Sequence, residues 1–110
     1  MTPYQKFIES KQESLRLAIA LNEFFLDEDP SHLDVYTQYL RRRIRPAGTS
    51  LAEQEDLEKL DAFEKLGWFT PSLVDEFLQT AIEAQKPAAI AWLMHLKDEK
   101  YGYSKPNFFL

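Results

Sequence analysis

The stretch that decides the fold is Thr70 to Lys97, TPSLVDEFLQTAIEAQKPAAIAWLMHLK. Thr70 is a good N-cap. Its hydroxyl can accept from an orphan N–H, and Pro71 gives up an N–H that had no helical partner. Val74, Phe77, Leu78, Ala81 and Ile82 then recur at the spacing of one helical face, with Asp75, Glu76, Gln79 and Glu83 opposite. Pro87 cannot continue that helix but can open another. Ile90, Leu93, Met94 and Lys97 mark the second face, and Ala88, Ala89 and Ala91 are strong helix formers. The spacing predicts helices over about 71–85 and 87–100, folded into an antiparallel helical hairpin with a tight turn at Gln85-Lys86.

Working outward, Thr2-Pro3-Tyr4-Gln5 is a capping box, and a first helix is predicted over about 3–26. Its second half, LRLAIALNEFFL, is apolar almost all round. It belongs in the core, or half in the core and half against a partner. The polar run Glu9–Ser14 bends or splits this helix. Asp29-Pro30 or Ser31 caps a second helix over about 30–45, with Leu33, Tyr36, Tyr39 or Leu40, and Ile44 on its buried face. Arg41-Arg42-Arg43-Ile44-Arg45-Pro46, followed by Gly48, reads as a helix stop. Ser50-Leu51-Ala52-Glu53 reads as a second capping box opening a helix over about 51–66, with Leu57, Leu60, Phe63 and Leu66 facing inward. Gly67 suits a left-handed C-terminal position, and Trp68 and Phe69 suit a core anchor. In the tail, 101–110, Phe108, Phe109 and Leu110 are expected to fold back onto the body or dock on another chain. No period-2 strand pattern or low-complexity linker occurs. The fold class is therefore all-α, a single domain over 1–110 of about five helices.

Composition bounds the rest. A chain of 110 residues, 45% hydrophobic and 28% charged, can bury roughly two-thirds of its unfolded surface in one core. There is no cysteine, which excludes disulfides, thiolate metal sites and cysteine nucleophiles. No secretory signal pattern and no membrane-spanning run appear, so a cytoplasmic location is expected. The net charge of -5 disfavours nonspecific binding to nucleic acid.

Ala81-Ile82-Glu83-Ala84 and Ala89-Ile90-Ala91-Trp92-Leu93-Met94 resemble the two helices of an ankyrin-type repeat. The turn lacks the glycine of that family, and no second copy occurs in the first 69 residues. The resemblance implies protein binding and no catalysis.

Candidate chemistry is sparse. Arg41, Arg42, Arg43 and Arg45 could hold phosphates or a carboxylate-rich partner through bidentate hydrogen bonds. The plainer reading is a helix end that complements its dipole and pairs with the acidic third helix (Glu53, Glu55, Asp56, Glu58, Asp61, Glu64). Consecutive helical residues point to different sides, so the four cannot all face one ligand. No aromatic is interleaved with them to stack on bases. His32, in DEDPSHLD, has acids nearby but no metal-ligand spacing, and helix capping explains it. His95 and Glu99 are four apart, as a base and its orienting carboxylate would be, and as a surface pair would be. No phosphate loop, paired-histidine helix or nucleophile elbow is present. No catalytic residue, metal or cofactor is expected. Trp68 belongs to the core, whereas Trp92 lies off the Ile90–Leu93–Met94 face. The sequence reading is a non-enzymatic module that binds another protein, or a second copy of itself, through Trp92, His95, Phe108, Phe109 and Leu110. The alternative is a nucleic-acid-associated accessory protein that uses the arginines.

Overall fold

A computed structural model describes residues 1–101. Those residues hold seven α-helices and a closing π-helical turn, with no strand among them. The expected Phe108, Phe109 and Leu110 contact lies outside the described residues. No helix among the described residues is long and apolar enough to cross a membrane. The chain divides into two compact units, 1–47 and 48–110.

The all-α class holds, but the expected five helices become seven: the first splits in two, and the second and third are redrawn as three. The first, expected over 3–26, is α1 (Pro3–Glu9) and α2 (Glu13–Glu23). Thr2 and Gln5 cap each other at the start of α1, as the sequence indicates. Ser10 and Gln12 are extended, and the Ser10 hydroxyl accepts from the Gln12 N–H at 3.1 Å. The polar run therefore splits the helix rather than bending it. Of LRLAIALNEFFL, Ala20 and Leu21 are buried, whereas Leu15, Phe25 and Leu26 are exposed.

α3 (Pro30–Arg42) starts at Asp29, whose carboxylate accepts from the Ser31 N–H. Tyr36, Tyr39 and Leu40 are its buried side chains. α1 packs on α2, and α2 on α3. Phe7 lies edge-on to both Tyr36 and Tyr39, at 5.0 and 4.9 Å between ring centres.

α4 (Ile44–Gln54) contradicts the expected stop at Pro46 and Gly48. A proline at position 46 would collide with the Arg42 carbonyl if α3 ran on. The chain breaks at Arg43 instead and restarts, which puts Pro46 in a first turn, where its missing N–H costs nothing. Ser50 is then no cap. It sits mid-helix and accepts from Gln54 Nε2 at 2.9 Å. The expected helix over 51–66 is accordingly the end of α4 plus α5 (Leu57–Lys65), which Asp56 caps.

α5 ends as expected at Gly67, φ +80°. The Trp68 N–H reaches the Phe63 carbonyl, and the Gly67 N–H reaches Glu64. Phe69 is buried, but Trp68 is only half-buried, stacked on Phe63 at 5.2 Å. α6 (Pro71–Glu83) is capped by Thr70 and packs against α7 (Pro87–Leu96). The helical run then widens into a π turn over Lys97–Tyr101 rather than staying α-helical to 100. Lys97 ion-pairs with Asp75, and Lys100 with the buried Glu64. The buried apolar side chains of this second unit, among the described residues, are those of Leu51, Ala52, Leu60, Phe63, Phe69, Leu73, Val74, Phe77, Ala81, Ala89 and Leu93. Each large member contributes about 1.5–3 kcal/mol.

The α6–α7 turn and the α4–α5 turn share a device. Gln85 (φ 56°) and Glu55 (φ 57°) both take the left-handed conformation that glycine adopts more cheaply. Glu55 does a second job. α7 has no side-chain cap of its own, and Glu55 Oε2 accepts from the N–H groups of Ala88 at 2.7 Å and Ala89 at 3.1 Å.

Candidate functional site

In the first unit, Phe7 and Ile8 of α1, Arg16 of α2, and Val35, Gln38, Tyr39, Arg42 and Arg43 from α3 and its C-cap line a cleft of about 300 Å³. Helical geometry explains the α3 contribution. Val35, Gln38, Tyr39 and Arg42 follow at three- and four-residue steps along one face, and Arg43 is one turn past Tyr39.

Glu13 is bound to three of these side chains. The Tyr39 hydroxyl donates to Glu13 Oε1, Arg43 Nε lies 3.0 Å from the same oxygen, and Arg16 Nη1 lies 3.8 Å from Oε2. Both guanidinium groups also stand over the Tyr39 ring, at 4.2 Å for Arg43 and 5.0 Å for Arg16. Arg16 lies 4.7 Å over the Phe7 ring, and its Nε donates to the Phe7 carbonyl at 3.1 Å, which satisfies a group orphaned by the end of α1. Arg42 is exposed and forms no ion pair among the described residues.

The Tyr39 hydrogen bond, helped by Arg43 and Arg16, holds the Glu13 carboxyl below its ordinary range. Burial, and then the Glu13 bond, push the Tyr39 phenol up to about 12, so it stays a neutral donor. The lining thus offers fixed cations and one hydroxyl donor over an apolar floor. That set can hold a carboxylate or a phosphate group.

The arginine cluster divides. Arg42 and Arg43 line the cleft, whereas Arg41 and Arg45 do not. The expected counter-ion was the acidic third helix, but for Arg43 it is Glu13. On α7, Trp92 is half-buried, and His95 is exposed with Nε2 3.3 Å from Glu99 Oε1. His32 stacks on Tyr4 at 3.7 Å and bonds Asp27 at 2.8 Å. No three histidine or acidic side chains among the described residues form a metal-sized group.

Sequence reasoning missed Arg16, Glu13 and Gln38. Two spacings pointed that way: Glu13 with Arg16 at i, i+3, and Tyr39 with Arg43 at i, i+4. Compared with known proteins, the chain matches no family model, no curated protein and no solved structure.

Proposed function

We propose that this chain is a non-catalytic module that binds another protein, with the cleft between α1, α2 and α3 as its contact surface. One observation carries the reading: three arginines and a tyrosine hydroxyl stand over an apolar floor that includes Ile8, itself 50% exposed. Buried or half-buried arginine and tyrosine beside an apolar anchor are the residue types that dominate protein interfaces. Nucleic acid is disfavoured by the net charge of -5 and by the separation of Arg41 and Arg45 from the cleft.

The test is affinity capture with the tagged chain and with its Arg16→Glu/Arg42→Glu variant, after circular dichroism has shown that the variant folds. Each captured protein is then re-tested in purified form. A direct partner that binds the native chain and is lost on charge reversal is the expected result. Partners retained equally by the variant refute the cleft as the contact surface.

A further inference from the structure

Three side chains of the cleft wall already bind a carboxylate, and that carboxylate belongs to the chain itself. Glu13 occupies the donors that an acidic ligand would seek, namely the Tyr39 hydroxyl, Arg43 Nε and Arg16 Nη1. Yet it does not fill the site. Its side chain is 59% exposed, and the lining carries three guanidinium groups against this one carboxylate. Arg42 remains without an ion pair among the described residues.

Glu13 also has somewhere else to go. It is the first residue of α2, and the N-cap of that helix, Gln12, provides no side-chain hydrogen bond. A glutamate that swings away from the arginines stays beside the positive end of the helix dipole and its unpaired N–H groups. Leaving the arginines is therefore partly compensated on the same helix.

We propose that the cleft takes an acidic peptide segment of a partner protein, whose carboxylate replaces that of Glu13, so that Glu13 is a built-in competitor that sets the affinity of the site. This rests on the protein-binding reading above. The apolar floor of Phe7, Ile8 and Val35 selects a segment in which acids alternate with aliphatic residues. A cleft of about 300 Å³ is at the small end of ligand-sized sites and suits a short segment rather than a duplex. Arg42 engages first, as the open cation. The exchange at Arg43 and Arg16 follows, and no charge-assisted hydrogen bond is lost from the site.

The test measures fluorescence anisotropy of a labelled peptide of alternating glutamate and leucine against the purified full chain. A glutamine-for-glutamate peptide and a single-stranded oligonucleotide of equal charge serve as comparisons. Glu13→Gln keeps the side-chain shape and an oxygen for Tyr39 but removes the competing charge. It should tighten binding of the acidic peptide by about tenfold, Glu13→Asp should restore native affinity, and Arg42→Gln should weaken binding by about tenfold. Circular dichroism melts confirm that all variants fold. If the native chain binds the acidic peptide but Glu13→Gln binds it no more tightly, the competitor is overturned while the protein-binding cleft stands. If neither binds the peptide, the acidic ligand is overturned, and the capture experiment decides separately whether the cleft binds protein at all. If the oligonucleotide binds as well as the peptide, with the same dependence on Glu13, the cleft is a nucleic-acid site and the proposal falls.

Discussion

Gly48→Ala places two physical effects in opposition. Gly48 lies inside α4, where alanine is favoured over glycine by about 1 kcal/mol in an unconstrained helix. Here the position is not free. A Cβ at residue 48 would fall 2.5 Å from Cε1 and Cε2 of Phe77, and closer still to Cζ. Ordinary contact begins near 3.4 Å, so the ring must retreat by about an ångström. It has little room to do so, because Phe77 is fully buried and lies edge-on to Phe69 at 5.1 Å. Overpacking of this kind costs about 1–3 kcal/mol or more, at the upper end when a rigid ring is the neighbour. The net expectation is a loss of about 1–2 kcal/mol, read as a lower urea midpoint in circular dichroism at unchanged m value. Phe77→Leu in the same chain should give the methyl space, so the double variant should cost less than the sum of the two single ones. Strictly additive costs, or a Gly48→Ala protein more stable than the native one, would refute the argument that Phe77 is what requires the glycine.

The left-handed residues give a pair of opposite signs. Gln85→Gly removes an unfavourable backbone conformation and should stabilise the chain by about 0.5–1 kcal/mol in urea denaturation. Glu55→Gly removes the same strain but also the acceptor for Ala88 and Ala89, so it should be neutral to destabilising; a gain equal to that of Gln85→Gly would show that the cap contributes nothing. Acid should weaken the first unit. The carboxyls of Asp27, held down chiefly by the Asp29 N–H, of Asp29, by the Ser31 hydroxyl, and of Glu13, by Tyr39, all lie below their ordinary values of 3.8, 3.8 and 4.5. A lowered carboxyl stabilises the fold above its unfolded value and loses that contribution as pH falls through its folded one. The contribution is thus present at pH 5 and above and declines below about 4.5. Asp27→Asn should flatten that decline in a pH series of thermal melts, and an unchanged slope would show that Asp27 plays no part.

Helix content and the two best-capped starts were legible in the sequence because their causes are local. Thr2 with Gln5, and Thr70 with Pro71, satisfy their helix N-termini within three residues. The breaks that turned five helices into seven were less legible. Pro46 and Gly48 together read as a stop by local rules, but Pro46 is tolerated in a first turn, and Gly48 answers to Phe77, far away in sequence. The end of α4 at Glu55 carries no glycine to announce it. Asp56, which caps α5, was a usable signal hidden in an acidic run. Arg42 and Arg43 were visible as a cluster, but nothing in their own helix named Arg16 as the third cation.

Arg16 joins the site only because the first helix breaks. Phe7 and Arg16 are nine positions apart, which in one continuous helix would separate them by about 13 Å along the axis. In the folded chain the guanidinium lies 4.7 Å from the Phe7 ring centre and bonds the Phe7 carbonyl. The extended residues Ser10 and Gln12 make that return possible, and the Ser10–Gln12 hydrogen bond helps to fix it. The same break places Glu13 at a helix start, where its carboxylate reaches Tyr39 and Arg43 on α3. A polar run that looks like an interruption in an otherwise apolar helix is thus what brings the cations, the phenol and the apolar floor together. The local break and the cleft are one feature, since a straight helix over 3–26 would have left Arg16 too far from Phe7 to line it together.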